Sequence, residues 1–441
     1  MLYSWYLAID IDYLSYFIMN TTQIEISNIS NLGKGFSVTE KGKKIFVPKT
    51  VTGDVVEVNI VQENSKFTLA EIVKIITPGE HRQKAACEYF AECGGCSLQH
   101  LTDEFSKEFK IKQIQDALTR SEFGYGGDIK FVEVGANSRR RARFHVDSEN
   151  KLGFFKERSH DVVEIDNCLM LTKNLEALIP KLRNLLASLP HNIIAEIYVC
   201  EFDNVIDLII KLQPRIFIDK VADALLKFAQ DEQLNLKYKD SKKLIEIFCH
   251  RKPQLDISGM KLSVPSESFI QATTTGQQAI IDELLDYVSN NETLNLLDLY
   301  CGIGAYGFAL SDKVEKNTGI DSLDNLISSI SLNAKKNDLS HKINAYKRDL
   351  ILNPIRVTEL KGYDLVIINP PRSGAKTQIK ELANSNIKNL IMVSSNLNSF
   401  IADSKVLISR GFALKKLTAI DQFYYTAHIE LVAIFQKNDE E

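Results

Sequence analysis

The stretch Leu296-Leu297-Asp298-Leu299-Tyr300-Cys301-Gly302-Ile303-Gly304 constrains this chain most, because an apolar strand runs straight into a glycine turn. Two glycines with one residue between them let the backbone pass close to a ligand, and an α/β protein holds a nucleotide-like group at such a strand end. Asp298 adds a carboxylate able to accept from nearby backbone or from an amino group. Roughly twenty residues further on, Thr318-Gly319-Ile320-Asp321 is a second apolar step ending in an acid, the position that holds a ribose diol in such folds. Tyr363-Asp364-Leu365-Val366-Ile367-Ile368-Asn369-Pro370-Pro371-Arg372 is a buried-type strand halted by two prolines, which cannot continue a ladder. Gly302, Gly304 and Gly307 also fit G-x-G-x-x-G, so this motif alone leaves a dinucleotide open.

A chain of 441 residues exceeds one typical core and predicts two or three domains. With 44% apolar and 25% charged residues the composition is that of a soluble globular protein, and a net charge of −4 requires any nucleic-acid surface to be a local patch. Seven cysteines without a secretory pattern point to the reducing cytoplasm, where grouped thiols more often bind metal than pair. Met1 to Met19 is rich in Tyr, Ile and Leu, but Asp10 and Asp12 break it too early for a membrane span. Residues 1–20 therefore read as an extension, with the functional chain beginning near Met19.

Residues 21–79 alternate in short segments punctuated by Gly33, Gly35, Gly42 and Gly53, the pattern of a small β-barrel. Its turns carry Lys34, Lys41, Lys43, Lys44 and Lys49, which suit single-stranded RNA or plain solvation. Residues 80–265 form a mixed region with helices over Glu104–Arg120 and Asn174–Leu189 and an arginine-rich strand around Ser138–Val146. From residue 266 to 441 the periodicity becomes βα, with a helix over Thr275–Ser289, which implies a parallel or mixed sheet covered on both faces.

Cys87, Cys93 and Cys96 share a loop in which Gly94 and Gly95 let backbone amides point at sulfur. Cys168 is the best fourth thiolate, since Cys200, Cys249 and Cys301 lie in apolar strand contexts where a buried thiol is the default. Spacing alone leaves an iron-sulfur cluster, structural zinc and plain core cysteines open. Arg139, Arg140, Arg141, Arg143 and His145, with Lys151, Lys156 and Arg158 nearby, form a basic patch suited to phosphates. Phe423, Tyr424 and Tyr425 are able to stack on bases or to fill a core.

Taken in order, these motifs resemble the RNA uracil-C5 methyltransferases that carry a TRAM barrel and a [4Fe-4S] cluster, the ribosomal-RNA branch in particular. The resemblance runs from about Thr21 to Lys437. It is most specific at Cys87 to His100, Gly153-Phe154-Phe155 leading to Ser159-His160 and Cys168, Ser268-Phe269-Ile270-Gln271, Asp298 to Gly304, Pro370 to Gly374, and His428-Ile429-Glu430. It implies an OB-like TRAM β-barrel, a central α/β region with the cysteine cluster, and a C-terminal α/β class I S-adenosylmethionine (SAM)-dependent methyltransferase fold. It also implies SAM at Gln271, Tyr300, Ala305, Asp321, Asp349 and Asn369 around the Gly302–Gly304 turn, and a cluster on Cys87, Cys93, Cys96 and Cys168. The implied partner is RNA, 23S ribosomal RNA ahead of transfer RNA, with no membrane and no protein partner.

In that family a cysteine thiolate adds to uracil C6, the enolate takes the methyl group, and a base removes the C5 proton. Glu430 matches the base. At the nucleophile position the family has Ser-Cys-Asn, whereas this chain has Ser394-Ser395-Asn396. A serine hydroxyl ionises far less readily than a thiol, so addition to C6 is expected to be impaired. Asn369 stands where the family has aspartate, and Leu397-Asn398-Ser399 replaces the usual continuation. Two other functions follow from these departures. Asn369-Pro370-Pro371 resembles the Asn-Pro-Pro of amino-group methyltransferases, and a chain without a nucleophile could bind RNA without catalysis.

Overall fold

The computed structural model describes residues 21–121, 124–240, 243–291 and 295–437, so the 1–20 extension lies outside the described residues. The chain divides into two compact units, one built on residues 21–86 with 97–106, the other on the remainder, including 87–96.

The first unit is a six-stranded sheet of β1 (Thr21–Glu25), β2 (Asn28–Ile29), β3 (Gly35–Val38), β4 (Lys44–Val47), β5 (Val55–Glu63) and β6 (Phe67–Thr77), in the order β1-β5-β6-β4-β3-β2. Bulges along β5 and β6 bend the long hairpin. Backbone N–H of Ser27 donates to Phe36 O, and the Ser37 hydroxyl donates to Glu25 O, which curls the sheet into a barrel over Ile26, Val47, Val56, Val58 and Ala70. Gly35 is required there, since a Cβ would stand 2.0 Å from Thr50 Oγ1.

In the second unit a seven-stranded sheet runs β10-β9-β8-β11-β12-β13-β14. Its strands are β8 (Arg141–Val146), β9 (Leu152–Phe155), β10 (Val162–Glu164), β11 (Ile194–Glu201), β12 (Ile206–Leu212), β13 (Asn235–Asp240) and β14 (Lys243–Phe248), and only β12 and β13 pair in parallel. Helices α2 (Lys173–Ala187) and α3 (Ala222–Asp231) supply apolar residues to its core. Cys249, expected to be buried, is exposed because it falls just beyond the end of β14.

The same unit contains an eight-stranded sheet, and its order explains where a ligand site can form. Its strands are β7 (Ile129–Glu133), β17 (Asn295–Leu299), β18 (Lys316–Asp321), β19 (Ile343–Lys347), β20 (Leu365–Ile368), β21 (Asn389–Ser394), β22 (Phe412–Asp421) and β23 (Glu430–Lys437), ordered β19-β18-β17-β20-β21-β23-β22-β7. The hairpin β15 (Gln254–Ile257) and β16 (Met260–Ser263) precedes it. β19, β18, β17, β20 and β21 are parallel, β23 is antiparallel, and β7 joins the far edge from well upstream in the chain. Every residue of Leu365–Ile368 is fully buried, as expected for a strand covered on both faces. Helices α1 (Asp103–Ser121), α4 (Thr274–Ser289), α5 (Ala305–Ala309), α6 (Asp324–Lys336), α7 (Lys376–Ala383) and α8 (Leu397–Ile408) complete the unit. α4 starts where Thr273 Oγ1 accepts from Gly276 N at 2.9 Å, and it buries Ile280, Ile281, Leu284 and Val288 along one stripe. Successive strands are added on one side of β17 as far as β19 and on its other side from β20, so the strand order switches between β17 and β20 and a crevice opens at their carboxyl ends. Among the described residues no helix is long and apolar enough to cross a membrane.

Candidate functional site

β17 and β20 stop at one level, because Leu299 pairs with Ile368, while β21 runs on past Met392, the partner of Ile368, to Ser394. Beyond them lies a cleft of about 380 Å³, part of it open to solvent. Of the sequence-predicted ligand residues, Gln271, Tyr300, Gly302, Ala305 and Asn369 line it. Gly304, Asp321 and Asp349 stand off it and act on the backbone. Asp321 accepts from Gly302 N at 3.0 Å and from Leu323 N at 3.2 Å, which clamps the glycine turn to the end of β18. Gly304 opens α5 with φ at 76°. Asp349 is exposed and accepts from Ile351 and Leu352 amides in the turn after β19.

Tyr300, Gly302 and Gly304 have φ values of 58°, 58° and 76°. Left-handed backbone is cheap for glycine but costs tyrosine on the order of 1–3 kcal/mol, and such strain clusters at ligand sites. Tyr300 lines the cleft, and a Cβ on Gly302 would meet nothing within 4 Å. A strained turn beside open space fits a bound small molecule. Beneath the turn, burial and then the charge of Asp321 push Asp298 up to about 8. Its oxygens lack a well-formed hydrogen bond, the Gly307 amide being the backbone donor beside it.

Behind the cleft runs a buried polar chain in which Gln422 and Tyr306 carry no sequence motif. Gln422 Nε2 donates to Glu430 at 2.7 Å and to Gln271 Oε1 at 2.9 Å. Gln271 Nε2 and Asn369 Nδ2 then donate to the Tyr306 hydroxyl at 3.2 and 3.3 Å. Tyr306 sits two residues past the predicted turn, and Gln422 eight before Glu430, so only their buried hydrogen bonds reveal them. Glu430 is 3% exposed, and burial pushes it to about 7 against the Gln422 bond and the charges of Arg141 and Arg372. A carboxyl poised there can hold or take a proton near neutrality.

Ser395 lies on the bend between β21 and α8, half-buried. Ser394 pairs with Leu431, so Ser395 and Glu430 come level at the ends of adjacent antiparallel strands. Asn396 caps α8 by accepting from Asn398 and Ser399 amides. The Arg372 guanidinium stands 3.3 Å from His428 Nδ1, joining the loop after β20 to the segment before β23.

Residues 125–438, well over half of the chain, match the family of tRNA (uracil-5-)-methyltransferases. The chain belongs to this family.

The match spans the cleft, Ser395 and Glu430, and begins after Cys87, Cys93 and Cys96. Curated relatives extend the likeness to nearly full length. The chain is 29% identical to the 23S rRNA (uracil(1939)-C(5))-methyltransferase RlmD of Shewanella piezotolerans, with 94% of this chain and 95% of that one covered. It is 26% identical to the protein of the same name from Aliivibrio fischeri, over 94% and 96%. Among solved structures it resembles Pyrococcus abyssi tRNA (uracil-54, C5)-methyltransferase in complex with S-adenosyl-L-homocysteine, with a TM-score of 0.72, 19% identity, and coverage of 94% of this chain and all of that one.

In this uracil-5-methyltransferase family member the arginine-rich segment is partly internal, which corrects the expected patch. Arg140 is 3% exposed and donates to Gln271 O at 3.0 Å and Gln277 Oε1 at 2.7 Å, so it supports the cleft wall and is withdrawn from phosphates. Arg141 stacks on exposed Phe269, 4.6 Å from the ring centroid. Arg143 remains largely exposed, 3.9 Å from Glu196, and His145 stacks on Phe155. Phe423, Tyr424 and Tyr425 are half-buried, with Phe423 edge-on to His428.

Cys87, Cys93, Cys96 and Cys168 are all partly buried. Burial pushes Cys168 up to about 11, and the neighbouring Cys93 and Cys87 add to the rise. Arg139 lies close enough to Cys168 and Cys96 to feel their charge, and the Gly95 amide donates to Cys93 Sγ at 3.4 Å. Among the described residues no group of three His, Cys, Asp or Glu is arranged to hold a metal ion. The donor set nonetheless suits a thiolate-held group, since amide and guanidinium both favour sulfur in its charged form.

Proposed function

We propose that this chain binds SAM in the cleft at the ends of β17 and β20 and acts on RNA, 23S ribosomal RNA, as a uracil-C5-type methyltransferase with impaired carbon methylation. The observation that carries the reading is the buried carboxyl of Glu430, poised near 7 and joined by hydrogen bonds to the cleft wall at Gln271, Tyr306 and Asn369. The near-full-length likeness to 23S rRNA enzymes supports the substrate.

The β-strand order supports a class I methyltransferase fold, and the N-terminal unit supports a TRAM barrel. Bound SAM supplies the methyl group. Gln271, Tyr300, Gly302, Ala305 and Asn369 would hold it directly, with Asp321 bracing the turn. Glu430 would take the C5 proton, and Ser395 would occupy the position of the attacking group, its neighbour Ser394 pairing with Leu431 beside Glu430. A hydroxyl there slows addition to C6 because its oxyanion is scarce near neutral pH. Cys87, Cys93, Cys96 and Cys168 would hold a [4Fe-4S] cluster in the cytoplasm, where thiols stay reduced.

The test is methyl transfer from labelled SAM to unmodified RNA, followed by nucleoside analysis, for the native chain and for Ser395→Cys. The expected result is 5-methyluridine from Ser395→Cys well above the native chain. A methylated amino group would overturn carbon methylation in favour of the Asn369-Pro370-Pro371 reading, and no transfer by either protein would leave RNA binding alone.

A further inference from the structure

Gln422 is 1% exposed and follows the last residue of β22, where Ile420 pairs with Glu430. Its amide nitrogen spends both protons inside the site, one on Glu430 and one on Gln271, while its own Oε1 has no partner. A buried acceptor left unpaired is costly, so this orientation is held by the demand for its two donors. The segment around it is anchored as well. Lys110 Nζ bonds Asp421 at 2.6 Å and the Tyr424 carbonyl at 2.7 Å, on either side of Gln422. The start of α4 closes over it, since a Cβ on Gly276 would come within 2.9 Å of the Gln422 side chain.

We propose that Gln422 is a positioning residue that fixes the Glu430 carboxylate in one orientation, favours its charged form, and couples it through Gln271 to whatever occupies the cleft. The last part rests on reading the cleft as a SAM site; the first two do not. Besides Gln422, the groups that face Glu430 are Arg141 from β8, Arg372 from the loop after β20, and the Tyr306 phenol of α5. His428, two residues upstream, is itself turned toward Arg372. The two arginines favour the carboxylate from a distance, whereas Gln422 alone gives it a side-chain hydrogen bond among these groups. When Glu430 is charged it accepts from Gln422, which leaves the second proton for Gln271 Oε1 and directs Gln271 Nε2 at Tyr306. A neutral Glu430 instead has a proton to donate, which suits the reversed amide and changes what Gln271 presents to the cleft.

The experiment compares melting temperature against pH for chains with Glu430 and with Glu430→Gln, each with Gln422 and with Gln422→Met. With Gln422 present, the Glu430 chain loses stability relative to Glu430→Gln as pH rises through about 7. In the Gln422→Met background the midpoint of that loss is expected to move up by about one pH unit, because a bond to the charged form has gone. An unmoved midpoint would overturn the proposal, since a purely packing role changes the melting temperature without moving the titration. If Gln422→Met fails to melt cooperatively, Gln422→Asn withdraws the amide by one methylene and is expected to shift the midpoint the same way. Adding S-adenosylhomocysteine to both backgrounds tests the coupling. It is expected to move the midpoint with Gln422 and leave it in place with Gln422→Met; equal movement in both overturns the coupling. No stabilisation of any chain by S-adenosylhomocysteine would overturn the SAM reading of the cleft and the coupling with it, and the pH midpoint would still decide the positioning role.

Discussion

Two neighbouring strand ends stand in opposite conditions. At the start of β23, Glu430 is buried and bonded, and its hydrogen bonds run through three more side chains. At the end of β21, Ser395 sits half-buried on a bend, and the ordering there is done by Asn396, which caps α8. The contrast teaches that a side chain built into a polar network is tied to the fold, whereas one presented on a turn can change identity while the strand, the cap and the helix stay as they are. A changed residue at position 395 and a retained buried Glu430 are therefore structurally compatible.

The sharpest way to break this comparison is to place a thiol at position 395. Ser395→Cys is expected to form a covalent complex with 5-fluorouridine RNA, seen as a shifted band on a denaturing gel. In that background Glu430→Gln should slow release of 5-methyluridine by about 10²–10⁴-fold, the usual worth of a positioned base. An active double variant would detach Glu430 from the chemistry.

Next in size is the anchoring of the Glu430 corner. Lys110 and Asp421 form a buried ion pair at 2.6 Å, so Lys110→Met leaves a carboxylate uncompensated and should cost about 3–5 kcal/mol in chemical denaturation. Ser395→Ala, at the other corner, should stay within about 0.5 kcal/mol. Equal losses at both corners would erase the contrast.

A pH titration of stability sharpens it further. Glu430 is raised from 4.5 to about 7, so its contribution is fully present below about 4.5 and is lost as pH rises through about 7. The span corresponds to on the order of 3 kcal/mol. Asp298, raised to about 8, adds a loss of the same sign at somewhat higher pH. Calorimetry of Glu430→Gln should show the lower step removed and the upper one retained.

The smallest expected effect separates the arginines. Arg140→Met should lower stability by about 1–3 kcal/mol through the bonds lost to Gln271 and Gln277 while leaving the salt dependence of RNA binding unchanged. Arg143→Ala should leave stability unchanged and reduce the slope of log K against log salt by about one. Filter binding at several salt concentrations reads both.

Much of the molecule is legible along the chain. The strand and turn from Leu296 to Gly304, the cysteine spacing and the barrel segments rest on local rules, namely the periodicity of strands, glycine at positive φ and proline at a strand end. Those rules act within a few residues and locate the Gly302 turn, and the family resemblance adds Tyr300, Ala305 and Asn369, all of which line one crevice.

Other assignments needed the tertiary structure, because they depend on which distant residues meet. Four arginines in a run look alike, yet Arg140 is withdrawn into contacts with Gln271 and Gln277 while Arg143 stays at the surface, since alternate residues of a strand face opposite sides. β7 reaches the far edge of the methyltransferase sheet from a segment that reads as part of the middle region. Gln422 carries no motif at all, and its importance arises only where the end of β22, the start of β23 and the segment before α4 bring three buried side chains within hydrogen-bond reach. Sequence by itself determined the family and the strands around the glycine turn, and pointed to Glu430 as the candidate acid. Tertiary structure decided the acid's burial, its raised proton affinity and its connection to the cleft, because desolvation and hydrogen bonding are properties of a site and not of a residue.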